Sequence, residues 1–497
     1  LIDSLSENIH SDLSKALPKE NLDGLAKSLK RAKGGKVSLQ EVISQITDNE
    51  HGKLFDASIL GRKTNLVDDL KDLKWSLSEG PSGVGRSRFG MLLAGSASME
   101  WAKQYPSNNF TSPSVIHWHG SAPEQTLGLF YGQLRYLIDN IKLIRRAELE
   151  SKGKYDPYTH DAEIASLTWH DLSEDEKKLV PPVILVGERD DLNEAGWSSL
   201  NKLLAEKYPV KVFLFDHNAT SKNDPVANLT QTISGLFSSI ALKNAFVFQG
   251  GMGNVDHLYN GLLNGLDKTT PALFNLYATK LDNHTSDQIN WTPYASLALT
   301  SRAFPALCYD PELNSNFLNG AVDLDGNKNY KDEWVEEEIS VSGDEIIVYK
   351  ITWADWAFTQ SIWESEFDLV NAADTNIMVP DYLQIEVNSR KGKTPVIMRT
   401  GEQGLKYYQV SEAVIDMTAA VLSNWQTWQE LAGLLTQFPT KLKQEVTKEL
   451  STKYEADVAA LKEDYEKQLK EKEAAFTEKI RLQIKNKLVE LSSLAKN

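Results

Sequence analysis

The stretch Val183–Asp216, VILVGERDDLNEAGWSSLNKLLAEKYPVKVFLFD, contains a complete strand, helix and strand. Two apolar runs, Val183 to Gly187 and Val210 to Asp216, flank a segment in which Leu200, Leu203 and Leu204 fall on one helical face. Short runs of branched and aromatic residues favour strands, and spacings of three and four favour a helix. A helix between two strands is a crossover unit, and crossovers join parallel strands. The pattern continues through NAFVFQG (Asn244–Gly250) and PALFNLYA (Pro271–Ala278), with helix-sized apolar patterns in the gaps. The predicted fold is therefore α/β: a largely parallel sheet with helices on both faces, binding ligands beyond the carboxyl ends of its strands.

Working outward, residues 1–60 read as short amphipathic helices, with Leu22, Leu25 and Leu29 at helical spacing ahead of a Gly pair. The α/β domain is expected over 61–335 and a small α+β region over 336–436. In that region EEEISVSGDEIIVYKITW alternates like exposed strands, and a Trp-rich helical piece follows. The segment SEAVIDMTAAVLSNWQTWQELAG then reads as a helix ending at Gly433. Beyond Pro439 there is neither Gly nor Pro. Val446, Leu450, Tyr454, Val458, Leu461, Tyr465 and Leu469 recur at steps of four and three, with Glu463/Lys467 and Glu466/Lys470 as supporting pairs. Residues 437–497 are thus predicted to be one long helix. Its narrow stripe suits a coiled coil or a strap against a neighbour, including a second copy; a solvated helix lying on its own domain is the alternative.

Composition limits what the chain can do. Its 497 residues carry 69 acidic and 53 basic side chains, a net charge of -16, which argues against a nucleic-acid partner or an anionic membrane. No apolar run approaches the roughly 18 to 20 residues that span a bilayer, and no signal segment opens the chain, so a cytoplasmic location is expected. The single cysteine, Cys308, rules out an internal disulfide and any four-thiolate cluster made by this chain alone. The first residue is Leu, not Met, which leaves a processed protein or the tail of a longer one.

Three short motifs carry weaker signals. GPSGVGRS (Gly80–Ser87) matches a phosphate loop except for Arg86 in place of Lys, but the polar DLKWSLSE before it does not read as a buried strand. An anion-binding turn with Arg86 and Arg88 fits the segment better. In HWHG, His117 and His119 lack a third ligand nearby, and a structural role is expected. DLDGN (Asp323–Asn327) echoes a calcium loop, but Ala321 and Asp332 stand at the first and last ligand positions.

The order of elements from about 85 to 335 resembles the thiamine-diphosphate domain at the carboxyl end of pyruvate:ferredoxin oxidoreductases and related 2-oxoacid oxidoreductases. The resemblance is carried by VILVGERDDLNEAGWSSLNKLL, by VKVFLFDHNATSKND and by FVFQGGMGNVDHLYNGLLNGLDKTTPALFNLYA, about half the chain. It implies a thiamine diphosphate and Mg²⁺ site that includes Gly187, Glu188, Asp216, Asn218, Gly253 and Asn254, with Glu188, Asp216 and Asn218 near the metal. Glu188 stands where the family has the Asp of Gly-Asp-Gly, and Arg189 where it has the second Gly. The family's cluster-binding cysteines have no counterpart, so no iron-sulfur cluster is expected on this chain.

Two functional readings follow. In one, the chain is the thiamine-diphosphate part of a 2-oxoacid:ferredoxin oxidoreductase whose iron-sulfur and pyrimidine-binding parts lie on other chains or in a further amino-terminal region. In the other, the same fold is a cofactor-free scaffold subunit of a larger redox complex, assembled through its terminal helix. A third reading is an unrelated α/β enzyme using carboxylates with His217.

Overall fold

The computed structural model describes residues 1–16, 57–95, 114–116, 121–189, 194–217, 225–278, 292–313, 322–340, 346–401, 404–435 and 438–494. It forms two compact units, Leu1–Ala432 and Gly433–Asn497.

The first unit opens with helices α1 (Ile2–Ala16) and α2 (Ala57–Ser78), strands β1 (Gly90–Leu93) and β2 (Ser114–Ile116), and helices α3 (Ala122–Ser151), α4 (Pro157–Ala165) and α5 (Glu174–Lys178). Then come β3 (Val183–Glu188), α6 (Glu194–Ala205), β4 (Val210–Asp216), α7 (Pro225–Ala241), β5 (Phe246–Gly250), α8 (Val255–Asp267), β6 (Ala272–Tyr277), α9 (Thr292–Thr300), β7 (Leu307–Tyr309) and β8 (Val322–Asp323). Among the described residues these strands make one eight-stranded sheet in the order β2-β1-β3-β4-β6-β5-β7-β8. The six strands from β2 to β5 in that order run parallel, and β7 and β8 add an antiparallel edge. The mixed α/β class and the largely parallel sheet thus agree with the sequence pattern.

The chain moves from β4 past β6 to β5, then returns to β6. Right-handed crossovers going opposite ways must lie on opposite faces, so α7 and α8 cover different sides. Helix α8 packs on β5 and β6, on the face that carries Phe213, Phe248 and Phe274. Gly261 and Gly265 permit this close approach, since a Cβ on Gly261 would fall 2.0 Å from the Phe248 ring. Lys211 secures the far end of α8: its buried Nζ donates to the carbonyls of Gly265, Lys268 and Thr270 at 2.8, 2.6 and 3.0 Å. Burial pulls that ammonium down to about 7, while three carbonyl acceptors favour its charged form.

The rest of the unit comprises β9 (Val335–Ser340), β10 (Ile346–Ile351), α10 (Trp353–Ala357), β11 (Phe367–Val370), β12 (Asn376–Met378), α11 (Val379–Gln384), β13 (Thr394–Gly401), β14 (Gly404–Val410) and α12 (Glu412–Leu431). Strands β9 and β10 pair antiparallel, and a second small sheet runs β11-β14-β13-β12. A tryptophan-rich core of Trp353, Trp356 and Trp363 packs with Ala298, Phe304 and the flank of Tyr277. This core therefore reaches the carboxyl edge of the large sheet, where the Trp356 indole donates to the Tyr277 hydroxyl at 3.1 Å.

The second unit is dominated by α13 (Phe438–Leu494). Its apolar stripe extends beyond Leu469 and repeats every fifteen residues through Val446, Leu461, Phe476 and Leu491, each of them exposed. Leu450, Tyr465 and Ile480, and Tyr454, Leu469 and Ile484, keep the same interval. Glu473 interrupts the Val458 and Leu488 series. Four contacts per fifteen residues is about 3.75 residues per turn, longer than the helix's own period, and a stripe of that period winds with a right-handed twist.

One ion pair makes the fold sensitive to acid. Arg145 grips Glu176 through Nε and Nη2 at 2.9 and 2.6 Å, and Ser173 caps the same carboxylate. These bonds hold the Glu176 carboxyl at about 2, below its ordinary 4.5. A depressed carboxyl contributes stability above its unfolded pKa and loses it as pH falls through the folded one. Glu176→Gln is expected to lower neutral-pH stability by about 1 kcal/mol, allowing for solvent screening, and to match the parent chain near pH 2 in chemical denaturation.

Candidate functional site

Side chains alternate along a strand, so register decides which groups can meet at the carboxyl edge of the sheet. Glu188 pairs with Phe215, while Asp216 lies one residue further and pairs with Tyr277. Glu188 therefore shares a face with Phe215 and His217. Asp216 shares the opposite face with Asn275 and Gln249, which pair with each other across β6 and β5.

The contacts obey this parity. On one face His217 Nε2 stands 3.9 Å from Glu188 Oε2, and Nδ1 lies 2.8 Å from the Ala278 carbonyl. On the other, Arg189 Nε donates to Asp216 Oδ1 at 3.4 Å. Asn275 Nδ2 donates to Asp216 Oδ2 at 3.3 Å and to Gln249 Oε1 at 2.9 Å. Gln249 Nε2 in turn reaches the Pro305 carbonyl at 2.8 Å. Arg189, Asp216, Asn275 and Gln249 are all buried, so a polar row crosses three strands inside the protein.

That row answers whether Mg²⁺ and a diphosphate fit. Magnesium needs near-octahedral oxygen ligands at about 2.0–2.1 Å and is held through carboxylates converging on one point. Glu188 and Asp216 diverge to opposite faces, and each meets a nitrogen partner of its own. The Arg189 guanidinium, where the resemblance expects Gly, takes the Asp216 carboxylate. The described residues of the expected set therefore do not fit a shared metal, and among the described residues no three His, Cys, Asp or Glu side chains converge. Asn218 lies outside the described residues.

Of the remaining described residues in the expected set, Gly253 and Asn254 have structural roles and Gly187 shows none. Gly187 has ordinary space around it, with a Cβ falling 3.7 Å from Ala94. Asn254 caps α8, accepting from His257 N at 3.1 Å and donating to the Gly326 carbonyl at 2.9 Å. Gly253 lets this turn press on α9, since a Cβ there would fall 2.5 Å from the Ala295 carbonyl. In DLDGN the Asp323 carboxylate accepts from Asp325 N, and Asn327 is spent on Ala306 and Leu324. GPSGVGRS follows a helix and leads to a strand, the reverse of a phosphate loop, with Arg86 over the Tyr136 ring. His117 and His119 lie outside the described residues.

Sequence reasoning missed Arg302. It follows α9 in the left-handed region at φ 61°, is 2% exposed, and lies with its guanidinium 4.1 Å above the Trp425 ring. It helps line a cavity of about 40 Å³ at the same edge of the sheet, with Asp216, Gln249, Ile233, Phe304 and Trp428. The signal available in sequence was an Arg at the position after a helix where Gly or Asn usually stands. A wider groove of about 880 Å³ runs along Trp197, Asn201 and Gly235, away from the polar row and broadly open to solvent.

No known protein family matches this chain, and no curated protein matches it in sequence.

Removing the guanidinium would take a cationic partner from a buried carboxylate. Arg189→Met is expected to destabilise the chain by about 3 kcal/mol in chemical denaturation. Glu188→Gln, at the less buried pair, is expected to cost less than about 1 kcal/mol.

Proposed function

We propose that this chain is a cofactor-free, non-catalytic scaffold subunit of a larger redox complex, with the thiamine-diphosphate-domain type of fold and its terminal helix as the assembly element. The observation that carries this reading is the buried Arg189–Asp216 pair, at 3.4 Å, in the place where the resemblance expects a metal-bound diphosphate. A guanidinium on a buried carboxylate supplies internally the positive charge that an ion would bring. It also makes binding of that ion costly, because the pair must first be broken.

Calorimetric titration of the full chain with thiamine diphosphate and Mg²⁺ is expected to give no saturable heat. Arg189→Gly, which restores the family's residue, is the companion variant. Saturable Mg²⁺-dependent binding by the parent chain would instead favour the catalytic reading, in which iron-sulfur and pyrimidine-binding parts on other chains complete a 2-oxoacid oxidoreductase. The parallel sheet and the resemblance around Val183–Asp216 are what support that second reading.

The assembly role is supported by α13. Its apolar stripe is exposed along most of its length, and its Lys and Arg balance its Asp and Glu almost one for one, in a chain of net charge -16. Two copies of α13 can approach without the repulsion that the rest of the chain would generate. Sedimentation velocity is expected to show self-association of the full chain that is lost on truncation after Ala432. A monomer at all concentrations would turn the helix toward a different partner.

A further inference from the structure

The charges beside the apolar stripe of α13 are sorted along its length. The residues directly before and after each stripe position form its two margins, and a helix packed on the stripe meets them. From Val446 to Tyr465 these margins carry Glu445, Glu449, Glu455, Asp457, Asp464 and Glu466 against Lys453 and Lys462. From Leu469 to Leu491 they carry Lys470, Lys472, Lys479, Arg481, Lys485 and Lys487 against Glu490. The first half of the stripe therefore has an acidic border and the second a basic one, and all of these side chains are exposed.

Marginal charges set the orientation in which two such helices pair. In an antiparallel pair with the two stripes fully overlapped, like margins meet. Glu449 then comes to Lys487, Asp457 to Lys479 and Asp464 to Lys472 on one margin, and Glu455 to Lys485 on the other. Glu445 with Glu490, and Lys470 with its own copy, are the unfavourable contacts. In a parallel pair the preceding margin of one helix meets the following margin of the other, one step along. That arrangement brings Glu449 to Glu455 and Lys479 to Lys485, and keeps only Asp457 with Lys462 and Asp464 with Lys470 as attractive contacts. It also sets Glu473, which stands in the stripe itself, against Glu473 of the second copy, and two like charges inside an apolar seam are costly. The antiparallel pair places Glu473 level with Tyr465, whose hydroxyl is a hydrogen-bond donor to a carboxylate.

We infer that α13 pairs with α13 of a second copy in antiparallel orientation, the acidic border of each helix lying along the basic border of the other. This rests on the self-association proposed for the helix and adds its direction and register.

Sedimentation velocity of the full chain tests the direction through a charge-neutral double variant. Glu449→Lys with Lys479→Glu leaves the net charge at -16, because the two changes cancel. In the antiparallel pair it turns the contacts with Lys487 and Asp457 from attraction into repulsion, each in both symmetry-related places. Association is expected to weaken by about tenfold or more. Adding Asp457→Lys and Lys487→Glu restores opposite charges at both contacts and is expected to return the parent's association, which a mere loss of helix would not do. An unchanged or tighter association of the double variant would overturn the orientation and leave self-association standing; tightening is the parallel outcome, since the Glu449–Glu455 and Lys479–Lys485 repulsions are then removed. Disulfide trapping gives a second readout. Val446→Cys and Leu491→Cys, each combined with Cys308→Ser to remove the chain's own thiol, are expected to link to each other when mixed and not to themselves. Self-linking of Val446→Cys would overturn the orientation, and a parent chain that is monomeric at all concentrations would overturn both the orientation and the assembly reading beneath it.

Discussion

The alternation of side chains at the ends of β3 and β4 is the constraint on which the site depends. Because Glu188 is in register with Phe215 and Asp216 with Tyr277, the two carboxylates turn to opposite faces of one sheet. Each then needs its own partner. Glu188 faces His217, and Asp216 is enclosed by Arg189 and Asn275. The Asp216 side continues as a buried polar row to Gln249 and Pro305, tying three parallel strands to the turn after α9. The row joins the sheet to the turn that carries Phe304 of the tryptophan-rich core, although Asn275 Oδ1 within it has no hydrogen-bond partner.

Much of the architecture was legible from local pattern. The runs that became β3, β4, β5 and β6 are short, apolar and separated by helix-length segments, and those features report a parallel sheet directly. Strand order was not legible, because nothing local records that β6 inserts between β4 and β5. The antiparallel edge of β7 and β8 was likewise hidden, since Leu307–Tyr309 and Val322–Asp323 are too short to show a period. The long terminal helix was plain from its lack of Gly and Pro. Its fifteen-residue repeat emerges only when the stripe is followed past Glu473 to Leu491.

The strand ends were legible in the sequence, and the contacts made there were not. The sequence pointed to the strand ends at Glu188 and Asp216, but their opposition follows from inter-strand register. Arg189 was visible as a bulky cation at an expected Gly. Its partner was not, because only tertiary burial brings it to Asp216. Arg302 belongs to no motif, and its significance lies in burial, in its φ and in two nitrogens without acceptors.

The central claim is that Arg189 and Asp216 form an internal pair in place of a metal site. A double-mutant cycle measures this most directly: unfolding free energies of the parent chain, Arg189→Met, Asp216→Asn and the double variant, each with and without Mg²⁺. The account predicts a coupling of about 2 to 3 kcal/mol between the two positions, unchanged by the ion. Additive effects, together with stabilisation of the parent chain by Mg²⁺ that Asp216→Asn abolishes, would contradict it and make Asp216 a metal ligand.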